Sequence, residues 1–293
     1  MFTATLIAAG TIGAGDISAA GDRLTQAGCA PAGSGWIEGG VAADVFFGMS
    51  PEAARAALEG VFPGVDVVVQ PVGLRERRVL VADMDSTMIT VECIDELAHY
   101  AGIKPEIAAI TEAAMRGELD FEAALEARVR LLEGMDAGVI DRCLAERVRI
   151  MPGAKALVRT MRARGALCVL VSGGFTRFAE PVAREIGFDR VIANVLEIAD
   201  GRLAGLVERP IVGAEAKERA LEQAAAEAGV GLEAALAVGD GANDLPMIRA
   251  AGLGVAYHAK PIVAAAAGAR VEFNDLSALL HAQGLSRREW IDA

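Results

Sequence analysis

Two carboxylates spaced two apart close the run Val79-Leu80-Val81-Ala82-Asp83-Met84-Asp85-Ser86-Thr87, and here the chain could do chemistry. Four apolar residues ending abruptly at charge read as a buried strand of a parallel sheet. Strand ends in such sheets are where ligands bind. Side chains alternate along an extended chain, so Asp83 and Asp85 can point into one crevice. Carboxylates crowded there repel each other unless a cation sits between them, and a hard ion such as Mg2+ fits. One carboxylate could then attack an electrophile while its neighbour handles a proton. That is a phosphoryl-transfer site in outline.

Three further segments carry residues of a matching kind. The run 166–171 stops at Ser172-Gly173-Gly174, whose hydroxyl and N–H groups could hold phosphate oxygens. The run 234–238 stops at Gly239-Asp240-Gly241-Ala242-Asn243-Asp244, a second acidic loop suited to Mg2+. Lys217, on the helix before that run, could supply a point charge. Each also has an ordinary reading. Ser-Gly-Gly suits a turn, a lone lysine suits a solvated helix face, and residues 240–244 suit turn chemistry and a helix N-cap. Their occurrence in one order, Asp-x-Asp, Ser-Gly-Gly, Lys and Gly-Asp-Gly-x-Asn-Asp, with all but the lysine at strand ends, singles them out.

The elements that must position them follow from the pattern. From Pro152 strands alternate with helices again, which with the strand ending at Asp83 predicts an α/β domain over 78–293 with a doubly wound parallel sheet. Residues 92–148 read as helical almost throughout and are expected to form a cap inserted after the first strand. An Asp200-Gly201 turn predicts a hairpin of 195–198 with 203–207. Residues 1–72 read β-α-β-β-α-β, the ferredoxin-like α+β arrangement, with Ser50 as an expected N-cap before Pro51. The charged joint Gly73–Arg78 connects the two.

Bulk composition excludes some classes. Lys plus Arg number 28 against 40 Asp plus Glu, a net charge of −12, so no basic face for nucleic acid is expected. The apolar run 261–269 is too short to span a bilayer, and the apolar start has no cationic leader. A cytoplasmic protein is expected. Four scattered cysteines (Cys29, Cys93, Cys143, Cys168) contain no C-x-x-C pair and read as small buried hydrophobes.

Taken together, Asp83-Met84-Asp85-Ser86-Thr87, Ser172-Gly173-Gly174, Lys217 and the 239–244 loop resemble the motifs of the haloacid dehalogenase-like phosphohydrolases, over residues 78–270. With Glu92 and Ile94-Asp95-Glu96-Leu97, the first segment is similar to the branch of that family acting on O-phosphoserine. Residues 1–72 resemble amino-acid-sensing (ACT-like) domains in architecture alone. The resemblance implies a Rossmann-like core with a helical cap. It also implies Mg2+-dependent hydrolysis of O-phospho-L-serine through an aspartyl-phosphate, the last step of L-serine biosynthesis. Asp83 would be the nucleophile and Asp85 the general acid and base. Mg2+ would be held by Asp83, the Asp85 backbone carbonyl and Asp240, with Asn243 and Asp244 in support. Ser172, Gly173, Gly174 and Lys217 would hold the phosphate.

In the cap, the resemblance implies that Glu92 takes the substrate ammonium and Arg128 its carboxylate, while Met115 and Phe121 form apolar lining. On their own these four read as helix-surface charges and core. The resemblance leaves room for an amino-acid effector at residues 1–72 and for a homodimer. Two alternatives stay open: a phosphotransferase passing the group to another alcohol such as homoserine, and an amino-acid sensor with a relic enzyme body.

Overall fold

Alternation of small and β-branched residues builds the first sheet. A computed structural model describes residues 1–115 and 118–291, with Met115 described by its backbone alone. In it, β1 (Phe2–Ala8), β2 (Pro31–Glu38), β3 (Ala42–Phe47) and β4 (Val65–Pro71) form an antiparallel sheet in the order β2-β3-β1-β4. Helices α1 (Ala14–Gln26) and α2 (Pro51–Leu58) cover one face, where Leu6, Val45 and Val67 pack with Leu24 and Leu58. The opposite face carries Thr3 and Thr5, whose hydroxyls donate to Asp44 Oδ1 at 3.0 and 2.7 Å. A buried carboxylate needs a counter-charge. Arg75 of the joint supplies it, donating to Asp44 from Nη1 and Nη2 at 2.7 and 3.1 Å. The charged joint thus binds the small sheet down.

The second sheet is parallel and six-stranded, in the order β12-β11-β10-β5-β6-β7. Its strands are β5 (Val79–Ala82), β6 (Leu167–Phe175), β7 (Arg190–Asn194), β10 (Ala235–Gly239), β11 (Leu253–Tyr257) and β12 (Ala269–Val271). β5 and β10 are wholly buried, as continuous apolar runs in a sheet covered on both faces must be. One face is packed by α7 (Ala154–Ala163) and α8 (Thr176–Ile186), the other by α9 (Ala214–Glu227) and α10 (Leu245–Ala250). The chain runs outward from β5 to β7 and then returns to β10 on the other side of β5. That reversal opens a crevice at the carboxyl ends of the central strands.

Between β5 and α7 lie α3 (Cys93–Ala101), α4 (Lys104–Met115), α5 (Phe121–Arg130) and α6 (Gly138–Glu146). A hairpin of β8 (Leu196–Ala199) and β9 (Arg202–Val207) leans on them, with Gly134 N–H donating to Leu203 O at 2.8 Å. After β11 come α11 (Pro261–Ala266) and α12 (Ala278–Ala282), the latter against β1. All four cysteines are free and buried, and no helix among the described residues is long and apolar enough to cross a membrane.

Two local expectations are corrected. β6 does not stop at Val171 but continues through Ser172-Gly173-Gly174 to Phe175, because Asn194 Nδ2 holds Gly173 O at 2.9 Å across a register shift. Ser50 occupies the N-cap position of α2 but lies in the left-handed region (φ 60°) and makes no side-chain capping bond. Pro51 at the helix start has no N–H, so the first turn has one fewer donor that needs an acceptor.

Candidate active site

β5 and β10 are neighbours in the sheet, so their ends deliver Asp83 and the 240–244 loop to one place; Asp83 N–H donates to Val238 O at 3.0 Å. Lys217 reaches the same place from the first turns of α9 and is fully buried. Its Nζ lies 2.6 Å from Asp83 Oδ1 and 2.6 Å from Asp244 Oδ1. Thr87, also fully buried, donates its hydroxyl to Asp240 Oδ1 at 3.1 Å. Oxygens of Asp83, Asp240 and Asp244 all lie within 4.8 Å of one another.

One ammonium faces three carboxylates here. Burial, and then the Asp244 charge, push the Asp83 carboxyl well above the usual range, while Lys217 pulls the other way. Asp240 is pushed up to about 6 by burial and then by Asp244 and Glu92. Burial works against the Lys217 charge too, but Asp244 and Asp83 outweigh it and raise its pKa, so it stays an ammonium. A hard divalent cation would cancel the uncompensated charge, and an all-oxygen donor set fits such an ion.

Asp85 stands apart from that trio. Its Oδ1 accepts the Cys93 N–H at 3.1 Å, at the start of α3. Burial and the nearby Glu92 charge push it up to about 7, against the Cys93 bonds and Lys217. A carboxyl poised near neutrality can both give and take a proton. A Cβ on Gly174 would stand 2.8 Å from Asp85 Oδ2 and 3.0 Å from Ser172 Oγ, so this strand position holds glycine because the carboxylate needs the space.

The crevice has a volume of about 420 Å3. Asp83, Asp85, Gly173, Gly174, Asp240 and Asn243 form its core side, and Glu92, Phe121 and Arg128 its cap side. Glu92 accepts the Ser86 hydroxyl at 2.6 Å. Arg128 is largely desolvated, which lowers its pKa, while Asp95, Glu92 and Asp85 act the other way. The Phe121 ring lies over the strand, 3.0 Å from where a Cβ on Gly173 would be. Ser172, Lys217 and Asp244 lie beneath the crevice rather than in its wall; Ser172 Oγ accepts the Gly174 N–H at 2.8 Å. The Met115 side chain lies outside the described residues.

Three residues of this region were not read from the sequence. Thr87 had a signal, as a hydroxyl directly after the two carboxylates. Asn194 had none: it ends β7, donates to Gly173 O and accepts the Val212 N–H at 2.7 Å. Lys260, at the crevice rim, sits 16 residues beyond Asp244 with no motif around it.

Comparison with known proteins gives consistent kinship. The profile of the haloacid dehalogenase-like hydrolases matches residues 80–249. A phosphoserine phosphatase of Streptomyces coelicolor is 48% identical over 246 residues, covering 83% of this chain and 60% of that protein. The chain spans about three fifths of the length of the curated relatives it matches first. Among solved structures, a hydrolase of the same family from Salmonella enterica superposes with a TM-score of 0.82 at 28% identity, covering 95% of this chain and 97% of that one. A probable phosphoserine phosphatase from Vibrio cholerae, unliganded, gives 0.77 at 34% identity, covering 96% and 87%.

Proposed function

The chain belongs to the haloacid dehalogenase-like hydrolases, and from that footing we propose that it hydrolyses O-phospho-L-serine to L-serine and phosphate. The observation that carries this reading is Asp83, buried at the end of β5 against an ammonium and two further carboxylates, in a crevice walled by Glu92 and Arg128. In the proposed reaction an Asp83 oxygen attacks phosphorus and the bond from phosphorus to the serine oxygen breaks. Asp85 gives its proton to that departing oxygen. A water then attacks the aspartyl-phosphate, Asp85 takes its proton, and the bond to Asp83 breaks, releasing phosphate. Lys217 and the Ser172–Gly174 strand hold charge as it shifts between oxygens.

Asp83, Asp240 and the Asp85 backbone carbonyl would hold Mg2+, with Asp244 beside them. When bound, the ion neutralises the dianionic phosphate against the carboxylate that approaches it. Glu92 and Arg128 suit the ammonium and carboxylate that distinguish phosphoserine from simpler esters. The test is phosphate release over a panel of small phosphomonoesters, with Mg2+ and with chelator. Preference for phosphoserine with loss on chelation is expected. Equal rates over the panel, or transfer to an added alcohol in place of release, would defeat the reading.

Two predictions arise at the crevice walls. Gly174→Ala forces Asp85 and Ser172 aside, and kcat should fall about 100-fold, since a displacement near 1 Å costs that much. Steady-state kinetics check it; a variant with parental kcat would show that the strand has slack. Arg128→Lys keeps the charge but loses the planar fork, so KM for phosphoserine should rise about tenfold. KM for O-phosphoethanolamine, which lacks the carboxylate, should not move.

A further inference from the structure

A second cavity, of about 750 Å3, opens where three parts of the chain meet, and it shares no wall residue with the crevice at Asp83. Glu38 and Val41 of the N-terminal sheet form one wall. Residues 150–153 and Lys155, which lead from the cap back to the sheet, form another. The C-terminal stretch from Phe273 to Trp290 forms the third.

The middle wall is one of the two connections that carry the cap. Ile150 bridges Ile89, and Met151 N–H donates to Met88 O at 2.9 Å, so both connections run as one short ribbon. That ribbon is pressed on the C-terminal stretch. Leu276 N–H donates to Pro152 O at 3.2 Å, and a Cβ on Gly153 (φ +79°) would stand 2.4 Å from Ser277 N. The cavity therefore meets the base of the cap through residues that do not line the crevice, and the N-terminal unit supplies another of its walls.

Its polar groups are unequally spent. Asp275 Oδ1 accepts from Ser277 N–H and Oγ–H at 2.8 and 2.5 Å, and Glu38 Oε2 accepts the Arg287 N–H at 2.9 Å. The Arg287 guanidinium is exposed and has no hydrogen-bond or ion-pair partner among the described residues. Lys155 gives one donor to Glu185 at 2.9 Å and keeps the others. The Asn274 amide of the wall is spent on Ile7 O and Asp66 at 2.9 Å each, and His281 Nδ1 lies 3.1 Å from Leu285 O. Two aromatic side chains share the wall: Phe273 is 47% exposed, and the half-buried Trp290 indole packs on His281 with centroids 4.9 Å apart. Unspent cationic donors beside aromatic faces select an anionic group carried on a flat apolar body. The volume falls in the range of small-molecule sites.

We propose that this cavity binds a small organic anion with an aromatic body, an aromatic carboxylate or a nucleoside monophosphate, and that its occupant ties the N-terminal unit to the base of the cap.

The full chain carrying Trp36→Phe leaves Trp290 as its one indole. Phenylacetate, AMP, inorganic phosphate and L-serine are titrated while Trp290 emission and amide exchange at Met151 and Leu276 are followed. Saturable emission change with phenylacetate, with AMP or with both is expected, together with slowed exchange at the two amides; which of them binds identifies the source. Arg287→Glu should weaken that binding at least about tenfold, while phosphate release and the melting midpoint without ligand stay unchanged. Binding of inorganic phosphate or L-serine alone, no saturable change with any probe, or equal binding by Arg287→Glu overturns the site. Binding with unaltered exchange overturns the tie to the cap.

Discussion

Asp83→Asn should release no phosphate from phosphoserine, a loss of at least about 10,000-fold in kcat, and should melt no lower than the parent in the absence of divalent cations. The first half follows from chemistry: an amide oxygen does not form the acyl-phosphate that splits hydrolysis into two displacements. The second half follows from the surroundings of the carboxylate. Asp83, Asp240 and Asp244 crowd one ammonium, and burial with Asp244 pushes Asp83 above the usual carboxylate range. A pKa raised on folding means that the native state holds the proton more tightly than the unfolded chain. The ionised form therefore costs stability above the ordinary carboxylate pKa, and an uncharged isostere removes that cost at neutral pH. The amide oxygen can still accept from Lys217, which keeps Asp244 at 2.6 Å. Acid-quenched enzyme caught in turnover should carry an acyl-phosphate in the parent and none in the variant. Thermal denaturation measures the other half. A variant that turns over at the parental rate would remove Asp83 from the mechanism, and an inactive but strongly destabilised one would mark the residue as structural.

What the sequence disclosed, and what it concealed, divides along the range of the interactions. The end of β5 was legible because an apolar run stopping at two carboxylates leaves few explanations within the segment itself. The parallel sheet and the ferredoxin-like unit were legible for the same reason, as patterns internal to each element. Lys217 is the counter-case. On α9 it reads locally as a solvated lysine, and motif order and family resemblance alone single it out; the fold is what buries it against carboxylates 27 residues later and on a different strand. The continuation of β6 through two glycines depends on an Asn194 amide 21 residues away. Asp66 also gave no signal, yet its carboxylate accepts the backbone N–H groups of Glu272 and Asn274 at 2.8 and 3.0 Å, tying the N-terminal sheet to the stretch after β12. Partners brought together only by the finished topology leave no local trace.

Lys217→Met carries the other large effect, and it separates electrostatics from catalysis. Methionine fills a similar volume, but two buried carboxylates then lose the counter-charge they share. Breaking a buried pair in this way costs about 3–5 kcal/mol, and loss of a donor to the phosphate should cut kcat about 100- to 1,000-fold. If the cost is repulsion, it can be relieved without restoring the lysine. Adding Asp244→Asn should return part of the stability, with a coupling of about 0.5–3 kcal/mol between the two sites. Mg2+ should raise the melting midpoint of Lys217→Met more than that of the parent, since the ion supplies the missing positive charge. Activity should return in neither case, because neither change replaces the ammonium at the phosphate. Chemical denaturation of the parent, both single variants and the double variant yields the coupling directly. A double variant no more stable than Lys217→Met would mean that the lysine stabilises through packing, and the account of three carboxylates around one cation would have to be given up.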